Sequence, residues 1–142
     1  MSPGLAGPSP DRIRELLLGA RRIAVVGLSP DPSRPSHWVS EYMQTAGYEI
    51  VPVHPQGGVV LGAPVHATLA GAAAAGPVDI VNVFRRSEHI PELVDDIIAV
   101  HPKLVWLQAG IRNDDAAARL EAAGIPLVQD RCIMVDHRRA VR

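Results

Sequence analysis

A chain of 142 residues with 47% hydrophobic and 20% charged side chains has the size and composition of one globular domain with a three-layer core. Its formal net charge of −1 supplies no overall attraction to nucleic acid or to an anionic membrane, so neither is expected as a partner. The single cysteine, Cys132, excludes an internal disulfide, and no apolar run reaches the ~20 residues of a membrane span; a cytoplasmic location is the expectation.

Residues 1–10 are small and rich in Pro and Gly, without a basic or long apolar segment, and read as a disordered leader rather than a signal peptide. The domain is expected over residues 11–142. Asp11 opens a predicted helix whose apolar positions Ile13, Leu16, Leu17 and Ala20 share a face. Residues 22–27 read as a buried strand ending in Gly27. After a Pro-rich turn, Trp38, Val39, Tyr42, Met43 and Ala46 form a second helical stripe, with Ser36 as N-cap and Gly47 as stop. Residues 48–53 form the next strand, halted by Pro55 and the pair Gly57-Gly58.

A short irregular β segment is expected over 59–65, and an Ala-rich stretch follows over 68–75. Residues 79–84 read as a core strand, after which Ser87 is the expected N-cap of a helix carrying Ile90, Leu93, Val94, Ile97 and Ile98. Residues 104–107 form a strand, 113–123 a helix closed by Gly124, and 126–129 a last strand. Strands alternating with helices predict an α/β fold: a single Rossmann-like three-layer domain, its mostly parallel sheet of about five strands covered by helices on both faces.

In such a sheet, ligands bind beyond the carboxyl ends of the strands, where strand order reverses. The loops at those ends carry Arg34, Arg85, Arg86, Arg112 and Arg131, in a chain whose only lysine is Lys103. A guanidinium can donate two parallel charge-assisted hydrogen bonds to a phosphate, although any one of these side chains taken alone is also an ordinary surface charge. A dinucleotide fingerprint, G-x-G-x-x-G, would need glycines where Ser29 and Pro32 stand, and no Asp or Glu follows the second strand to hold a ribose. Among six histidines His54 is best placed for acid–base work, but its Pro and Gly neighbours suit a shaped turn; none has metal-ligand spacing. Cys132, beside Arg131 at a strand exit, is either a small buried hydrophobe or a reactive thiol.

The segments Ala24-Val25-Val26-Gly27-Leu28-Ser29, Arg34-Pro35-Ser36, Val51-Pro52-Val53-His54-Pro55, Val83-Phe84-Arg85-Arg86-Ser87-Glu88, Trp106-Leu107-Gln108-Ala109-Gly110-Ile111-Arg112-Asn113 and Asp130-Arg131-Cys132 fall in order at the strand ends. In these the chain resembles the bacterial stand-alone CoA-binding domain proteins, which are similar to the N-terminal domain of the succinyl-CoA synthetase α subunit. The resemblance extends over about residues 12–137 and implies that coenzyme A, or an acyl-CoA, is the ligand. It places Gly27, Leu28, Ser29, Arg34 and Ser36 in the first loop at the phosphates. Pro55 and Gln56 fall on the adenosine side, Val83, Phe84 and Arg85 at the centre, and Gln108 and Gly110 on the pantetheine side. Arg86 and Arg131 are further contacts it suggests. With about four negative charges and an amide-bearing arm, CoA suits an arginine-lined edge.

His54 stands where that family usually has Asn. The synthetase's phosphorylated-histidine domain has no counterpart before Arg142, so the leading expectation is a CoA-binding module without catalysis by this chain alone. The alternatives are an NAD(P)-type oxidoreductase, or a ligase half that needs a partner subunit. A homodimer or another partner protein remains open, as does a mixed disulfide between Cys132 and the CoA thiol.

Overall fold

The computed structural model describes residues 7–142. Its frame is a five-stranded sheet in the order β2-β1-β5-β6-β7, formed by β1 (Arg22–Val26), β2 (Glu49–Val53), β5 (Ile80–Val83), β6 (Leu104–Leu107) and β7 (Leu127–Val128). Every pairing within it is parallel. A separate antiparallel hairpin joins β3 (Val59–Val60) to β4 (Ala63–Pro64) where an irregular β segment was expected. The helices are α1 (Pro10–Gly19), α2 (Pro35–Thr45), α3 (Leu69–Ala74), α4 (Val94–Val100), α5 (Asp114–Ala122) and α6 (Ile133–Ala140).

Strands buried on both faces favour apolar residues, and β1 has them after Arg22: Ile23, Ala24, Val25 and Val26 are all buried. Because successive side chains alternate, these residues feed two cores. Ala24, Val26, Val81, Val83, Val105 and Leu107 pack with Leu69, Val94, Ile97 and Leu120 beneath α3, α4 and α5. Ile23, Val25, Ile80, Leu104 and Trp106 pack with Ile13, Leu17, Val39, Met43 and Ile133 beneath α1, α2 and α6. The three-layer α/β architecture is therefore the one the strand–helix alternation predicts.

Local departures have specific causes. Helix α1 starts at Pro10, with the Ser9 hydroxyl accepting from the Arg12 N–H at 3.2 Å, so Ser9 and not Asp11 caps it. Of the expected leader, residues 1–6 lie outside the described residues. Gly7 and Pro8 border a cleft together with Ala117, Glu121 and Leu127. The expected helix after Ser87 begins as a 3-10 segment, Ser87–Leu93, and turns α-helical only at Val94. Pro91 has no N–H to return to the Ser87 carbonyl; the Asn113 side-chain amide donates to that carbonyl instead, at 3.1 Å. Helix α6 has no counterpart among the elements the sequence predicts.

Candidate functional site

Strand order reverses between β1 and β5, so the chain leaves these neighbours in opposite directions and opens a crevice beyond their carboxyl ends. The Phe84 N–H donates to the Val26 carbonyl (2.9 Å) and the Gly27 N–H to the Val53 carbonyl (3.0 Å), which draws the ends of β1, β2 and β5 together. Gly27 has φ +85°, and a Cβ there would lie 2.6 Å from the Phe84 carbonyl oxygen. Only glycine meets both conditions.

The loop after Gly27 is self-tied. The Ser29 N–H donates to the Ser36 hydroxyl at 3.0 Å, and the His37 Nδ1 lies 2.9 Å from the Ser29 carbonyl. Ser36 thus staples the loop across to α2 and is not its N-cap; that position is Arg34, which makes no side-chain capping bond, with Pro35 next. Asp31 accepts from both the N–H and the hydroxyl of Ser33, and these donors hold its carboxyl below the usual 3.8. Arg34 extends from this loop with 70% of its side chain exposed and its Nε 4.0 Å from Asp31. Its guanidinium, only loosely paired with Asp31, faces solvent.

Three clefts sharing lining residues run along this edge. The central one, of about 460 Å³, is lined by Gly27, Ser29, Arg34, Ser36, Phe84 and Gln108. A second, of about 390 Å³, is bounded by Gly27, Pro55, Gln56 and Arg85. A third, of about 410 Å³, lies among Phe84, Arg85, Arg86 and Gly110. Such a chain of clefts suits an elongated ligand more than a compact one. Arg85 lies 3.7 Å from Glu92, and Arg112 is paired to Asp114 at 3.1 Å. Arg86 forms no ion pair among the described residues.

Other expected residues are placed differently. Leu28 and Val83 are fully buried, so their side chains anchor the loops in the core and only their backbone can face a ligand. The Gln108 Oε1 accepts from the Ile133 N–H at 2.9 Å, so this side chain caps α6 while lining the groove. Arg131 is paired to Asp136, with Nε at 3.2 Å, and lines a cleft between α1 and α6 instead of the groove. His54 shapes its own turn, its Nδ1 accepting from the Gln56 N–H at 3.2 Å. Cys132 is half-buried. No group of three or more potential metal ligands occurs among the described residues, and no helix among them is long and apolar enough to cross a membrane.

Ala109 and Ile111 also line the central cleft, and Thr68 and Asp96 the second. Ala109 and Ile111 fall within the motif after β6. Nothing local marks Thr68 or Asp96, which long loop closures bring to the site.

A five-stranded parallel sheet flanked by helices, with a crevice where strand order reverses, is a Rossmann-like architecture. Residues 21–138 match the model of the CoA binding domain family, and the chain belongs to that family. It is 43% identical over 133 residues to the uncharacterized protein YneT of Bacillus subtilis (strain 168), an alignment covering 94% of this chain and 97% of that one. Among solved structures, the protein cell-free ID.343 from Thermus thermophilus is 40% identical with a TM-score of 0.88, covering 94% of this chain and 99% of its own. A hypothetical protein from Pyrococcus horikoshii OT3 is 30% identical with a TM-score of 0.89, covering 100% and 99% of the two chains.

Proposed function

We propose that this protein binds coenzyme A or an acyl-CoA along the strand-end edge, as a cytoplasmic CoA-binding module. The observation that carries this reading is the switch-point crevice, where Gly27, the stapled Ser29–Ser36 loop and the exposed Arg34 guanidinium line one cleft. The loop would receive the diphosphate, with Arg34 supplying a charge-assisted contact. Pro55, Gln56 and Arg85 would border the adenosine side. Phe84, Gln108 and Gly110 would follow the pantetheine arm, whose amides match backbone and side-chain donors along β5 and β6. Membership of the CoA binding domain family supports the same ligand class.

Arginines matter more for CoA than for NAD, because the 3′-phosphate adds charge that a backbone nest alone does not neutralise. The loop also lacks the second glycine of the dinucleotide fingerprint, Ser29 standing in its place. Isothermal titration with CoA, acetyl-CoA, NAD and NADP tests the reading. CoA or acetyl-CoA should bind saturably and more tightly than either dinucleotide. Absence of heat with both CoA and its thioester, or tighter binding of NAD, would overturn it.

A further inference from the structure

We propose that the cleft between α1 and α6 is a second ligand site, distinct from the strand-end groove, that takes a small monocarboxylate with an apolar tail. The cleft measures about 340 Å³ and has Ile13, Leu17 and Ala140 as its apolar wall and Arg14, Arg131 and Arg139 around it. Its volume is within the range of small-molecule sites.

The cations are held in position. The buried Asp136 carboxylate accepts from both Nε and Nη2 of Arg131, fixing the plane of that guanidinium while 42% of its side chain stays exposed. Arg14 donates through Nε to the Ala140 carbonyl at 2.9 Å, near the end of α6, which leaves its terminal nitrogens available. Arg139 has no ion-pair partner among the described residues. Guanidiniums fixed through Nε are organised to donate further to a planar carboxylate.

The charge sets the ligand class. Arg14, Arg131 and Arg139, set against Asp11 and Asp136, leave one net positive charge around the cleft, which matches a monoanion and not a polyphosphate. The apolar wall asks for a hydrocarbon tail in place of a sugar or base. Helix α6 separates this site from the groove: Gln108 caps it at Ile133, and one turn on Asp136 faces the cleft.

The test is titration of the full chain with hexanoate, followed by amide ¹H–¹⁵N shifts. Expected are saturable shifts at Ile13, Leu17 and Ala140, undiminished by saturating CoA, with hexanamide at least about tenfold weaker because it lacks the charge. Arg139→Gln, an exposed change checked for folding by circular dichroism, should weaken hexanoate about tenfold, and Arg14→Gln is the parallel variant. Absent shifts, equal binding of hexanamide, equally tight inorganic phosphate at the same amides, or displacement by CoA would each overturn the proposal. Displacement by CoA would place CoA in this cleft; the other outcomes leave CoA binding in the groove to the CoA titration, which reads it separately.

Discussion

At Gly27 the backbone already sits at φ +85°, and an added methyl would meet the Phe84 carbonyl at 2.6 Å. Gly27→Ala should therefore cost about 2 kcal/mol or more of stability, measured by urea unfolding, since positive φ and a backbone clash are imposed together. A variant as stable as wild type would mean that the β1–β5 approach is not fixed. Ser36 is subtler. In sequence it reads as an N-cap, because a Ser one residue after Pro and just before an apolar stripe is what capping looks like. Its hydroxyl instead accepts from Ser29, a contact that depends on how the loop folds back and has no local signature. Arg34→Ala should leave stability nearly unchanged, its side chain being 70% exposed, while weakening CoA by about 1.5–3 kcal/mol if it makes a charge-assisted bond. Paired calorimetry and unfolding separate these two effects.

The elements divide by how much of their pattern is local. Strands β1, β2, β5 and β6 are legible because they are apolar at nearly every position, and α2 and α5 because their stripes end at Gly47 and Gly124. Helix α6 is not legible: Ile133 and Ala140 flank Asp136 and His137 on its buried side, so polar residues interrupt the stripe. Those residues are buried through tertiary partners. Asp136 holds Arg131, and His137 lies edge-on to Tyr42 and Tyr48, with Nδ1 2.9 Å from the Tyr42 hydroxyl.

Burial pushes the His137 imidazole below its ordinary 6.5, because the folded protein disfavours the charged ring. Below 6.5 the unfolded chain takes up this proton before the folded one does, so stability falls as pH drops from 6.5 towards the folded value. NMR titration should place the His137 ring below 6.5, with denaturant stability decreasing over the same window. A ring titrating at or above 6.5 would contradict the packing described for α6.

At the scale of the molecule the two ends of the sheet do different work. The alternation of strands and helices made the layered fold legible, and with it the edge on which to look for a ligand. It could not sort the arginines on that edge, since Arg131 is withdrawn by Asp136, which lies a helical turn further on in an element the sequence did not announce. The opposite edge is tied by Asp79, whose Oδ2 accepts from the N–H groups of Arg21 (2.9 Å) and Arg22 (3.0 Å), with Lys103 Nζ 3.6 Å from Oδ1. Burial alone would raise its pKa, but these donors and Lys103 prevail and hold it below 3.8. Its stabilisation is therefore present above 3.8 and is lost as pH falls through the folded value.

Asp79→Ala should cost about 2–3 kcal/mol at neutral pH, a deficit that shrinks in acid once the wild-type carboxylate is protonated. Because Asp79 lies at the amino ends of the strands and the groove beyond their carboxyl ends, this loss should not reach the ligand. CoA at about one hundred times its Kd should stabilise wild type and Asp79→Ala alike, by about 2.7 kcal/mol. The Asp79→Ala and Arg34→Ala effects on stability and on affinity should add to within about 0.5 kcal/mol in the double variant. A larger coupling would show that the sheet transmits strain from its structural edge to its binding edge.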